Sequence, residues 1–172
     1  MAFRRADWPR AIDAAQKVHE RISAKLGNEH VHTHVTLANW ARALNEAGRP
    51  VEALAKARRA HEQITRLVGP TKPQAQDAAF LLALVELDNG QVERAHSLID
   101  QLNAGVLESW RATGVWAAGI DALRGIALQQ RGNAAAARPL LDSALAALKD
   151  EETLDQPSRL YTAAKNARAR LP

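Results

Sequence analysis

The chain of 172 residues contains no cysteine, one methionine, one tyrosine and two phenylalanines. The missing cysteine excludes disulfides, thiolate catalysis and zinc–thiolate centres. It leaves the compartment open, with the cytoplasm as the favoured expectation. No apolar run approaches the ~18 residues of a membrane span, so no membrane contact is expected from this domain. The opening stretch MAFRRADWPRA has positive charge but lacks the apolar core of a secretory signal. Charge of one sign is lacking too: 23 Lys and Arg stand against 19 Asp and Glu, a net +4. The charges are interspersed, so they read as a solvated surface rather than the footprint of a nucleic-acid binder.

What fills the chain is alanine, leucine, arginine, glutamine and glutamate, all good helix formers. Strand formers are sparse, and the expected class is all-α. An internal repeat fixes the architecture. Gly48, Gly90 and Gly132 each end a helical stretch and recur every 42 residues, and five residues after each stands an alanine: Ala53, Ala95, Ala137. Small residues precede each glycine by seven positions, at Ala41, Ala83 and Gly125, with Ala167 one period later. Gly27 and Gly69 keep the same interval.

The unit is a helical hairpin. Val35, Leu37, Ala38, Ala41 and Leu44 make one apolar stripe, and Gly48 supplies the positive φ that stops the helix. Pro50 stands where the next helix starts. That helix carries Ala53, Ala57, Ala60, Ile64 and Leu67 on one face. A single hairpin cannot bury its own face, so hairpins stack as a solenoid.

Eight helices are predicted: a B-type helix at 8–26, then A 32–47, B 50–67, A 74–89, B 91–103, A 107–131, B 134–149 and a capping A-type helix at 157–170. The complete repeats are 32–67, 74–103 and 107–149. The third A segment is read as one helix, although glycines in NAGVLESW and RATGVWAAG could split it into a short turn and a helix starting near Gly114. Pro139 should delay or kink its B helix. The first helix lacks an A partner, so the chain is expected to be a C-terminal fragment of a longer protein. Its stripe of Ala11, Ala15, Val18, Ile22 and Leu26 is then expected to pair with a second copy as a homodimer, or to be covered by Phe3 and the N-terminal arm.

The small residue in each A helix, followed twelve positions later by the alanine of helix B, resembles the tetratricopeptide repeat (TPR) family. Trp40 and Leu82 supply the large residue before the small one; Arg124 departs from the pattern. The 42-residue period and the connectors LGNEHVHTH and VGPTKPQAQ are similar to the kinesin-light-chain repeat type. The resemblance spans nearly the whole chain and implies a right-handed α-solenoid whose A helices line a concave, peptide-binding groove. Carried onto this sequence, the groove positions are Val35, Ala38, Asn39, Arg42 and Asn45; Asp77, Phe80, Leu81, Leu84 and Asp88; Ala122, Leu123, Ile126 and Gln130; and Lys165 and Arg168. Asn39 holds the place of an asparagine often used in the family to bond a peptide backbone. The counterparts Leu81 and Leu123 are apolar, so the carboxylate clamp of chaperone-tail binders is not present as a set. The implied ligand is a segment with apolar anchors and an acidic end.

No serine sits in a nucleophile elbow, no glycine loop cradles phosphate, and the glycines are repeat punctuation. No enzyme activity, cofactor or metal is expected. His30, His32 and His34 in EHVHTHVT align with Lys72, Gln74 and Gln76 of the next repeat, which makes them a connector. His19 and His61 are one period apart and take a structural role, while His96 is solvated. Trp40 is expected in the core and Trp8 against a helix start. Trp110 and Trp116 are contact candidates if exposed and core filler if not. The expected function is a non-enzymatic protein–protein or peptide-binding module of a larger, bacterial-type regulatory protein. A sensory or oligomerisation domain attached to an upstream kinase or DNA-binding regulator is the alternative, and a basic solenoid binding nucleic acid the second.

Overall fold

The computed structural model describes residues 7–150 and 158–172; Phe3 and the start of the cap at 157 lie outside them. The described residues form nine helices and no strand: α1 (Trp8–Leu26), α2 (Val31–Glu46), α3 (Pro50–Val68), α4 (Pro73–Asp88), α5 (Val92–Ile99), α6 (Ala104–Trp110), α7 (Trp116–Gln130), α8 (Ala134–Ala147) and α9 (Arg159–Ala169). Chain neighbours pack on one another from α1 to α5 and from α6 to α9, α6 also lies against α4, and the A-type helices α2, α4, α7 and α9 pack side by side.

The repeat glycines stop the helices as their spacing requires. Gly48, Gly90 and Gly132 have φ of 73°, 71° and 77°. At each one the glycine N–H and the next N–H turn back to carbonyls of the last turn, as in Gly48 to Asn45 and Arg49 to Leu44. This closure satisfies carbonyls that a helix end otherwise leaves open. Pro50 and Pro73 open α3 and α4, where their missing N–H costs nothing.

Helix α3 buries Ala53, Ala57, Ala60 and Ile64, the stripe read from the sequence. Helix α4 is buried almost all round, from Ala75 to Leu87, as expected of the central A helix with neighbours on every side. At the other extreme, α1 has no fully buried residue, and Val18 and Leu26 of its stripe are exposed.

Three expectations are corrected. The segment 107–131 is two helices, α6 and α7, which raises the number from eight to nine among the described residues. Gly114 takes φ +74° at the break, and the Glu108 carboxylate accepts N–H bonds from Thr113, Gly114 and Trp116. Helix α8 does not start late: it runs through Pro139 from Ala134, held by the Asn133 side chain, which accepts from the Ala136 N–H. Trp40 is half-buried at the edge of a core cluster rather than inside it, because Lys56 lies 4.4 Å over its ring where an apolar neighbour would close the gap.

Candidate functional site

The parallel A helices place a row of polar side chains across one face. Arg42 of α2 donates to Asp77 of α4 at 2.9 Å, and Asn45 of α2 donates to Asp88 of α4 at 3.0 Å. Arg159, at the start of α9, donates twice to Asp88, at 2.9 and 2.6 Å, and its backbone N–H donates to Glu46 at 2.8 Å. The Asp88 carboxylate, foremost by these bonds, raises the guanidinium pKa. Gln130 of α7 donates to the Leu87 carbonyl.

Glu46, Asp88 and Gln130 share one position in the 42-residue frame, the last residue of each A helix. A carboxylate at a helix C-terminus is opposed by the helix dipole. Arg159 meets two of them, which explains why the first turn of α9 lies at this place. Beside it, Leu160 and Phe80 close over Gly119, where an added Cβ would lie 3.0 Å from the Phe80 ring. Phe80 in turn meets Trp116 edge-on at 5.2 Å.

The predicted groove positions divide. Asn39 is exposed on α2, Arg42, Asp77 and Asp88 are half-buried, and Asn45 is 1% exposed. Leu81, Leu84, Leu123 and Ile126 are buried; Leu81 and Leu84 still border a 170 Å³ cleft with Arg42, Asn45, Glu46 and Leu160. Gln130 and Lys165 are exposed, with the Lys165 ammonium 5.8 Å from the Tyr161 ring centre. Arg168 is paired with Asp142 of α8, so it joins α9 to a B helix and does not supply the basic end of the row. Among the described residues Asn45 Oδ1 is a buried acceptor on the row without a donor, whereas Asp77 Oδ1, which accepts no hydrogen bond, faces the Arg111 guanidinium at 4.0 Å. Arg159 and Glu46 were not among the predicted residues. Glu46 could have been found from the frame; Arg159 could not, because its contact spans 113 residues of chain.

The histidines separate. His30 caps α2, its Nδ1 accepting from the His32 N–H, and the two rings stack at 5.3 Å. His34 turns inward, 2% exposed, with Nε2 at 2.7 Å from the Asn28 carbonyl. Its companion Thr33 donates to the Gly27 carbonyl. His19 bonds Thr33 and Thr36, the structural role its spacing implied. His96 pairs with Asp100 at 3.0 Å. Trp110 is 45% exposed, while Trp116 is buried and donates to the Arg111 carbonyl.

No protein-family model matches the chain, and no curated protein matches it in sequence. Among solved structures it is similar to the nearly identical TPR-like repeats of a Podospora anserina protein described as a kinesin light chain. The superposition has a TM-score of 0.66 at 21% identity and covers 95% of this chain and 77% of that one. The chain has the fold of a TPR-like helical-repeat solenoid.

Proposed function

We propose that this domain is a non-enzymatic protein–protein interaction module that takes a segment of a partner along the face formed by α2, α4, α7 and α9. The observation that carries the reading is a buried acceptor without a donor, Asn45 Oδ1, beside the exposed Asn39. A buried acceptor left unpaired is costly, and a partner's N–H would satisfy it where Asn45 and Asn39 lie. The 170 Å³ cleft bordered by Leu81 and Leu84 accepts an apolar side chain next to them.

The sign of the partner follows from the row. Glu46 and Asp88 already hold one arginine, and Arg168 is engaged by Asp142. The segment therefore presents donors and a basic residue beside its apolar anchor, rather than an acidic end. The charges of Arg42 and Arg159 are matched by Asp77 and Asp88, which favours a protein over a phosphate backbone.

Selection from a random peptide library tests this. Enriched peptides are expected to be basic and to lose binding to Asn39→Arg and Asp77→Asn, while Arg94→Glu on α5 leaves binding intact. Enriched peptides that bind Asn39→Arg as well as the parent would sink the reading.

A further inference from the structure

The seam between the first two hairpins holds a cavity of 440 Å³, walled by α1 and α3 and floored by α2. We propose that it is a binding site for a small organic carboxylate that carries a hydroxyl or amino donor on an apolar body. The site is separate from the row of the A helices.

Four groups define the chemistry. His34 lies at the floor, 2% exposed. Its Nε2 is 2.7 Å from a carbonyl oxygen and so carries a proton, and in the tautomer protonated there Nδ1 offers a lone pair. That Nδ1 is buried and has no partner. The indole Nε1–H of Trp40, also lining the cavity, is a buried donor without an acceptor. Lys56 and Arg59 bring two positive charges to the wall, and no carboxylate lines the cavity. Leu37, Ala55 and the Trp40 ring are apolar. An unpaired donor, an unpaired acceptor and two cations around apolar walls are the few convergent polar groups of a small-molecule site.

The repeat supplies an internal control. At the next seam, 42 residues on, Gln76 replaces His34, Leu82 replaces Trp40 and Leu98 replaces Lys56. There the central polar residue has partners. Gln76 donates to the Pro70 and Gln101 carbonyls and accepts from the Asn103 N–H, and Leu82 and Leu98 belong to the apolar core. Among the described residues of that seam the Thr65 hydroxyl lacks a partner. The second seam therefore pairs Gln76 and fills its core with leucine, and the first seam differs from it at all four defining groups, Arg59 standing where the second has Gln101.

Complementarity sets the ligand. The carboxylate lies between Lys56, Arg59 and the Trp40 N–H, where charge-assisted bonds are strongest. The body lies along Leu37, Ala55 and the edge of the indole, whose face Lys56 covers, and the far hydroxyl or amine donates to His34 Nδ1.

The probes are para-hydroxybenzoate and para-aminobenzoate, with benzoate lacking the donor and para-hydroxybenzyl alcohol lacking the carboxylate. Binding is followed by calorimetry and by the Trp40 indole N–H resonance in proton–nitrogen correlation spectra. Both probes are expected to move that resonance and to bind at least about tenfold tighter than either control. Lys56→Leu and His34→Gln install the residues of the second seam, so they keep the fold, which thermal melting checks, and each should weaken binding at least about tenfold. No movement of the Trp40 resonance with any probe overturns the proposal. So does benzoate binding as tightly as its hydroxylated form, or a shift unchanged in the Lys56→Leu protein.

Discussion

Gly125 of α7 lies so close to Leu141 of α8 that an added Cβ would stand 2.6 Å from Leu141 Cγ. In the 42-residue frame the equivalent pairs are Ala41 with Ala57 and Ala83 with Ile99. Alanine on the A helix faces alanine or isoleucine, and glycine faces leucine, whose branch at Cγ rather than any added volume over isoleucine reaches into the space of a Cβ. Gly125→Ala gains about 1 kcal/mol of helix propensity but forces Leu141 to shift, at ~1–3 kcal/mol. A net loss of about 1 kcal/mol is expected from the two effects together. Leu141→Ala should cost ~2–5 kcal/mol. The double variant should lose less than the sum, by ~0.5–3 kcal/mol. Urea unfolding of the four proteins measures this, and strictly additive losses would contradict the contact.

Arg58 of α3 grips Glu86 of α4 with two parallel bonds of 2.8 and 2.9 Å. The glutamate is 2% exposed, whereas the arginine side chain is 39% exposed. Leu44 and Leu128 hold the position of Glu86 in the neighbouring repeats, so an apolar residue suits the site. Arg58→Ala strands a buried carboxylate and is expected to cost ~3 kcal/mol. Replacing both, as Arg58→Met with Glu86→Leu, should restore most of that loss, since a buried pair repays little beyond its own desolvation. Thermal melts of the single and double variants decide it. A double variant as unstable as Arg58→Ala would mean that the pair itself holds α3 to α4.

Glu108 ties the break between α6 and α7 through three backbone N–H bonds of 3.0 to 3.2 Å. These bonds, that of Gly114 foremost, hold its pKa below the usual glutamate value. A depressed folded pKa contributes stability that is complete above the unfolded value, about 4.3, and is lost as pH falls through the folded one. Glu108→Gln should therefore lower the urea midpoint at neutral pH, and the difference from the parent should close as the pH falls below about 4. Faster amide exchange at Thr113 and Gly114 is expected in the same variant. A gap between the two proteins that stays constant down the acid range would reject the assignment.

The fold was legible because its punctuation repeats: a glycine with positive φ and a small crossing residue are local requirements that reappear every 42 residues. The split of α6 from α7 was visible in the glycines around Gly114, but its cause, Glu108, was not, since a carboxylate bonding three N–H groups has no signature in spacing. Along the A helices the sequence did not separate Leu123, buried in the core, from Asn39, exposed on α2, although they share one position of the 42-residue frame, because the neighbours packed around each A helix and not the frame decide burial. Arg168 holds the frame position of Arg42, which places it in the row, yet Asp142 on α8 holds it; partner choice between two nearby helices depends on side-chain reach rather than on register.

Pro139 is the sixth residue of α8 and lies inside an unbroken helix. Its ring removes the N–H that would otherwise meet the Ala135 carbonyl and crowds that carbonyl as well, which costs ~3 kcal/mol in an ordinary helix interior. The helix forms regardless because Asn133 caps its start and because Ala137, Leu141 and Ala144 are buried on both sides of the proline. Tertiary burial here outweighs local propensity. Pro139 itself is exposed, so Pro139→Ala loses no packing and regains the missing bond. Against this stands the extra freedom of the unfolded chain, worth ~0.4–1 kcal/mol. The variant should be more stable by about 2 kcal/mol, seen as a higher urea midpoint with an unchanged slope. A lower midpoint would mean that the proline sets the direction in which α8 meets α7, and that its cost is offset by the crossing of Gly125 and Leu141.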